Sequence, residues 1–258
     1  MYGFQAILFD VDGTLAETER DGHRPAFNAA FAEAGLPWHW DAQRYGQLLA
    51  VTGGKERIRR YMEEEGLAPP PGSDPDAFVA ALHRAKTRYY LARLATGAIP
   101  LRPGVLRLLK EARAAGIRLA IATTTTPENV EGLLLHCGEP GVLDWFEEIA
   151  AGDIVPHKKP APDIFQLALG RLGLAPEACV AVEDSDNGVR SALGAGLAAL
   201  LVTQGYYTKD QSFAGAPLVV DGLGDPGEPA RVLAGDLGGA DRVDLAALER
   251  LHRSVYPR

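Results

Sequence analysis

The chain has 258 residues, 47% of them apolar, enough for one large or two modest folded domains and too many for a disordered polymer. A net charge of −8 argues against nucleic acid and anionic membrane surfaces as partners. Two cysteines, Cys137 and Cys179, lack metal-ligand spacing and cannot build a disulfide framework; with no signal-like start and no long apolar window, a cytoplasmic protein is expected.

Residues 6–9, Ala6-Ile7-Leu8-Phe9, read as a buried strand that runs into Asp10-Val11-Asp12-Gly13-Thr14. Side chains alternate along a strand, so Asp10 and Asp12 start on one side, and Gly13 lets the chain turn after them. From residue 17 to about residue 97 no strand is convincing. Helices are predicted over 23–34, from a cap at Asp41 through 49, over 54–65 and over 76–95.

From Leu101 onward strands and helices alternate. Helices are predicted at 103–115, 127–136, 162–172 and 187–195, and strands at 118–123, 148–151, 179–182, 199–202 and 218–221. Thr126 is placed to cap the helix that begins at Pro127. Residues 222–239, rich in Gly and Pro, read as irregular, and Asp244 caps a last helix to 253. Alternation of this kind implies an α/β fold with a parallel sheet covered on both faces. The first strand belongs with the later ones. The sheet domain is therefore expected to be discontinuous, 1–16 and 98–258 with an extra tail at 222–258, and interrupted by a helical cap at 17–97. Because ligands bind at the carboxyl ends of parallel strands, the insertion is expected to act as a lid over Asp10 and Asp12.

Three further strand ends carry polar groups. Thr123 and Thr124 offer hydroxyls and backbone N–H groups for a phosphate oxygen, with a plain helix cap as the alternative. Lys159 sits in His157-Lys158-Lys159-Pro160-Ala161-Pro162, where two prolines stiffen the backbone around it. Glu183 and Asp184 follow an apolar strand, where adjacent acids are costly unless paired or bound to a cation. With Asp10 and Asp12 they make four oxygen donors, a hard set that suits Mg²⁺.

These four segments, in this order, resemble the haloacid dehalogenase superfamily. Asp10-Val11-Asp12-Gly13-Thr14 resembles its first motif, Thr123 its second, Lys159 its third and Glu183-Asp184 its fourth. The resemblance implies a Rossmann-like core with an inserted helical cap. It makes Asp10 the nucleophile that forms an aspartyl-phosphate and Asp12 the general acid and base. Lys159 and Mg²⁺ then offset charge, and Thr123 binds a phosphate oxygen. The metal is implied to rest on Asp10, Glu183, Asp184 and the backbone carbonyl of Asp12. Dehalogenation needs no proton donor, so Asp12 points away from it.

In the cap, Glu19, His23 and Arg24 follow the core strand, and Thr52-Gly53-Gly54-Lys55-Glu56-Arg57 opens a helix with bases where acids are usual. Gly54, Lys55 and Arg57 read as a second anion site; a solvated helix with a Glu56–Arg60 pair is the alternative. Together with Trp38-His39-Trp40-Asp41 and Ala122-Thr123-Thr124-Thr125, these segments are similar to CbbY-type sugar phosphatases. That resemblance implies a monomeric, Mg²⁺-dependent phosphatase of sugar bisphosphates, xylulose 1,5-bisphosphate foremost. A sugar phosphomutase of the β-phosphoglucomutase type and a non-catalytic binding module are the alternatives. Glu19-Arg20-Asp21-Gly22-His23 carries one residue more than the usual Glu-x-Leu-His pattern, which leaves the partner of His23 open.

Overall fold

The computed structural model describes residues 2–257; Met1, part of the N-terminal reading above, lies outside the described residues, as does Arg258. The chain forms two compact units. One combines the segment ending at Glu17 with the segment starting at Pro100, and the other is Thr18–Ile99.

Strand β1 (Ala6–Phe9) comes first. A π-helical turn, Glu19–His23, then leads into α1 (Arg24–Glu33), α2 (Ala42–Leu48), α3 (Gly54–Glu64) and α4 (Pro75–Ala95). The return to the first unit brings α5 (Val105–Ala114), β2 (Arg118–Thr123), α6 (Pro127–Leu135) and β3 (Phe146–Ala151). Next come α7 (Asp163–Leu172), β4 (Cys179–Glu183), α8 (Asp186–Gly194) and β5 (Leu200–Thr203), then β6 (Leu218–Val220), β7 (Val232–Ala234) and α9 (Leu245–Val255).

The seven strands form one sheet of order β3-β2-β1-β4-β5-β6-β7. Four consecutive apolar residues make β1 a strand with no polar face, and it runs between β2 and β4 with both faces covered: all four residues are fully buried. Burial of Ile7, Leu8 and Phe9 contributes roughly 1.5–3 kcal/mol apiece. One face of the sheet packs Leu8, Ala120 and Ala181 against Phe165 of α7 and Val189 of α8.

The chain winds outward from β1 through β2 to β3, then starts again at β4 on the other side of β1. The winding therefore reverses between β1 and β4, the position where open α/β sheets bind ligands. Phe9 lies level with both Ile121 and Val182, so the next residues, Asp10, Ala122 and Glu183, emerge at one height. The Asp10 N–H donates to Val182 O at 3.0 Å and holds that register past the end of β1.

Two local expectations are corrected. The stretch 222–239 is not wholly irregular: Val232–Ala234 pairs antiparallel with β6, so the sheet is parallel only through β6. A free sheet edge supplies hydrogen-bond partners to a short segment whatever its flanking composition. Thr126 occupies the position before α6 but makes no side-chain cap bond. Asp41, by contrast, does cap α2, and Asp244 caps α9 through Ala247 N at 2.7 Å.

Both chain segments that leave the sheet unit run as neighbours. Ala16 forms an antiparallel bridge with Leu101, and Arg102 N–H donates to Leu15 O at 2.8 Å.

The helical unit packs α1 along α4. Its interior is aromatic: Trp40 lies 4.7 Å from Phe27 and 4.8 Å from Phe31 between ring centroids. Asn28 fixes the chain reversal before α2, accepting from Trp40 N at 2.8 Å and donating to Trp40 O at 2.9 Å. The extra residue in Glu19–His23 is taken up by the π-turn, the way a helix absorbs a single inserted residue. Gly22 is needed there, because a Cβ would collide with the Tyr90 ring and the Ile99 side chain. His23 is buried, with its ring 4.1 Å from that of Tyr90.

Candidate active site

Asp10, Lys159, Glu183 and Asp184 meet at the carboxyl ends of β1 and β4, and all four are buried. Lys159 Nζ donates to Asp10 Oδ1 at 2.6 Å, to Glu183 Oε1 at 2.5 Å and to Ala122 O at 2.9 Å, which uses its three protons. Burial alone would lower the Lys159 pKa; Asp10 and Glu183 outweigh it and raise it, so the ammonium stays charged.

One lysine faces three carboxylates. Asp10, Glu183 and Asp184 each present an oxygen within 4.8 Å of the others. Burial, with the nearby Glu183 and Asp12 charges adding to it, pushes Asp10 up to about 7 against the pull of Lys159. Asp184 is also raised well above the carboxylate range, by burial first and by Glu183 and Asp10 next.

The oxygens are not equally occupied. Glu183 Oε2 accepts from Asp184 N at 3.0 Å, and its Oε1 is taken by Lys159. No hydrogen bond from the described residues reaches Asp10 Oδ2 or the Asp184 carboxylate. Bare, buried carboxylate oxygens beside surplus negative charge are the condition a hard divalent cation relieves, and the donor set contains no His or Cys.

Two glycines make room for these acids. Gly13, at φ 89°, lies so close to the Asp184 carboxylate that a Cβ would overlap it. Gly188, in the first turn of α8, is closed in by the Glu183 carboxylate in the same way. Its N–H donates to the capping Ser185 Oγ at 3.1 Å.

Asp12 is half-buried and close enough for its charge to act on Asp10. Thr123 ends β2 fully buried, next to the Ala122 carbonyl that holds Lys159, and its Oγ1 accepts from Thr125 N at 3.4 Å. Thr124 is half-buried and its side chain makes no hydrogen bond among the described residues.

Arg102 was not singled out from the sequence. An arginine between Leu101 and Pro103 at a chain return was the available signal, and only tertiary structure reveals its partners. Its Nη1 donates to Gly13 O and, at 3.0 Å, to Thr203 O. Its Nη2 donates to Gln204 O at 2.8 Å and to Asp221 O at 2.9 Å.

In the helical unit, Arg57 is buried. It donates to Tyr45 Oη at 2.8 Å, and Glu19 lies 3.5 Å from it. Tyr45 Oη in turn donates to Glu19. Arg60 pairs with Glu64, so the Glu56–Arg60 alternative is not realised. Lys55 is half-buried beside Gly54, whose missing side chain leaves room for His83. Arg24 differs from its neighbours: its side chain forms no hydrogen bond or ion pair with the described residues, and its Nε is buried.

A buried aspartate at the end of the central strand, a lysine on it and an acid pair one strand over define a haloacid dehalogenase-like hydrolase, and the model of that family matches residues 4–196. The chain is 48% identical to Protein CbbY of Cereibacter sphaeroides, over 94% of this chain and 98% of that one. A crystal structure of CbbY (mutant D10N) from Rhodobacter sphaeroides in complex with xylulose-(1,5)bisphosphate superposes with a TM-score of 0.81 at 48% identity, covering 95% and 99% of the two chains. CbbY from the same organism in complex with phosphate gives a TM-score of 0.78 at 51% identity, covering 85% and 94%. This chain belongs to the CbbY family of haloacid dehalogenase-like phosphatases.

Proposed function

We propose that the protein is a Mg²⁺-dependent phosphatase of sugar bisphosphates, with xylulose 1,5-bisphosphate as the preferred substrate. The observation that carries this reading is Asp10: Oδ1 is held by Lys159 at 2.6 Å, and Oδ2 accepts no hydrogen bond from the described residues. A nucleophile needs one oxygen fixed and one open. The complex of a relative 48% identical with xylulose-(1,5)bisphosphate supports the choice of substrate.

Asp10 Oδ2 attacks phosphorus, and the bond from phosphorus to the sugar oxygen breaks. Asp12 gives its proton to that oxygen, so the sugar leaves as an alcohol. Water then attacks the aspartyl-phosphate and passes a proton to Asp12. The bond between phosphorus and Asp10 breaks, inorganic phosphate leaves, and both aspartates return to their starting states. Lys159 offsets negative charge at Asp10 throughout, and Thr123 and Thr124 hold phosphate oxygens. Asp10, Glu183, Asp184 and the Asp12 carbonyl would hold Mg²⁺, which supplies positive charge against the phosphoryl oxygens. The second phosphate falls to Arg24, Lys55 and Arg57 with the Gly54 N–H, while Glu19 and His23 meet sugar hydroxyls.

The test is phosphate release with Mg²⁺ over pentose and hexose mono- and bisphosphates. Xylulose 1,5-bisphosphate should give the highest kcat/KM. Transfer of phosphate between sugar hydroxyls without net release would replace this reading with that of a mutase.

A further inference from the structure

We propose that Arg102 is a positioning residue for the phosphoryl-transfer step: its guanidinium pins the turn after Asp12 and so fixes the proton donor against the leaving oxygen. The inference rests on the phosphatase reading above.

The turn after β1 is short and closes on itself, with Thr14 N–H and Leu15 N–H donating to Val11 O at 3.2 and 2.9 Å, but those bonds tie it to none of the neighbouring loops. Gly13 has a positive φ, which glycine adopts at no steric cost and which gives the backbone no side chain to anchor. Its N–H donates to Ala16 O at 2.8 Å, but its carbonyl has no strand to pair with, because β1 ends at Phe9. Arg102 Nη1 supplies the missing donor to Gly13 O.

The same guanidinium is tied elsewhere. Thr203 O ends β5, Gln204 O follows it, and Asp221 O follows the end of β6. Three separate loops at the carboxyl edge of the sheet thus converge on one rigid, planar fork. The five fixed donors of arginine suit this task, whereas the three rotatable protons of lysine sit on a single atom.

The residue is itself fixed. It is 9% exposed, its N–H donates to Leu15 O at 2.8 Å, and Glu17 lies 3.8 Å from Nε. The hold of Arg102 on the proton donor passes through Gly13 O to the turn that carries Asp12, and its charge also lowers the Asp184 pKa against the rise from burial; Arg102→Lys keeps that charge. Loss of the fork unties the turn from the loops after β5 and β6, and a proton donor displaced by even an ångström loses much of its effect.

The chemistry supplies a readout that stability alone would not move. A sugar alkoxide is a poor leaving group and needs the Asp12 proton; p-nitrophenolate is a good one and does not. The term kcat/KM reports steps only up to formation of the aspartyl-phosphate, where that proton is used. Arg102→Met should therefore lower kcat/KM for the sugar phosphate by on the order of tenfold or more while changing that for p-nitrophenyl phosphate by less than about threefold.

Arg102→Lys, which keeps the charge without the fork, should show the same selective loss in weaker form. It decides the matter if Arg102→Met does not fold, as judged by circular dichroism. Equal losses on both substrates, or no loss on either, would overturn the proposal. So would failure of both variants to fold, since Arg102 would then be a stability residue alone. Wild-type protein that releases no phosphate from any sugar phosphate would instead reject the phosphatase reading itself.

Discussion

Asp10 sits in a charge balance that Lys159 does not close, and this has a measurable thermodynamic consequence. Its folded-state pKa, about 7, lies above its ordinary value of 3.8, so the native state keeps a proton that the unfolded chain gives up. The stabilisation is fully present below about pH 4 and is lost as pH rises through about 7. In chelator, the unfolding midpoint of wild type minus that of Asp10→Asn should fall between pH 4.5 and 7.5; a flat difference would refute the assignment. Asp10→Asn should also abolish phosphate release while staying folded. Lys159 is the complementary case. Lys159→Met removes the ammonium bonded to Asp10 and Glu183 and should cost about 3–5 kcal/mol, read from denaturant midpoints.

Glycine in a helix normally costs stability, and replacing it with alanine normally restores about 0.5–1 kcal/mol. Helix α8 should reverse that sign. At Gly188 a Cβ would overlap the Glu183 carboxylate, so Gly188→Ala should destabilise by about 1–3 kcal/mol and lower phosphate release. In the helical unit, the assignment of the second phosphate to α1 and α3 makes its own prediction. Arg24→Ala, Lys55→Ala and Arg57→Ala should each raise KM for a bisphosphate by on the order of tenfold while changing KM for a monophosphate little. Arg24 should matter most, because Arg57 already has Tyr45 and Glu19 beside it.

Elements with one dominant periodicity were legible from sequence. β2 was expected at 118–123 and is found at Arg118–Thr123, because the apolar run Leu119-Ala120-Ile121-Ala122, flanked by a glycine turn and a threonine series, admits few readings. Those that depend on a distant partner were not. β7 exists because β6 offers it an edge, and Thr126 leaves α6 uncapped although its position suits a cap. The π-turn shows a third kind of case: the surplus residue was visible in the sequence, but its accommodation depends on the close approach of Tyr90 to Gly22.

At the scale of the molecule, Asp10, Glu183 and Asp184 were legible as a group because they stand at strand ends, and parallel strands in register deliver their ends to one edge; Lys159, in the loop between β3 and α7, was marked by the prolines beside it. Arg102 was not legible, since its guanidinium bonds backbone carbonyls from three other segments, which no side-chain pattern marks. The tail after Asp221 has a structural account at this scale. Arg107 Nη2 donates to Leu223 O, Gly224 O and Val243 O, and β7 covers the edge of β6. Truncation after Asp221 uncovers that edge and should lower the unfolding midpoint and promote association, measured by calorimetry and light scattering.

The bridge between Ala16 and Leu101 carries an architectural consequence. Paired antiparallel residues stand only about 5 Å apart, so the departing and returning strands could be sealed by a short hairpin. The sheet is thus indifferent to the size of the detour made between them. A lineage built this way can trade one detour for another, keeping its chemistry while changing what it accepts.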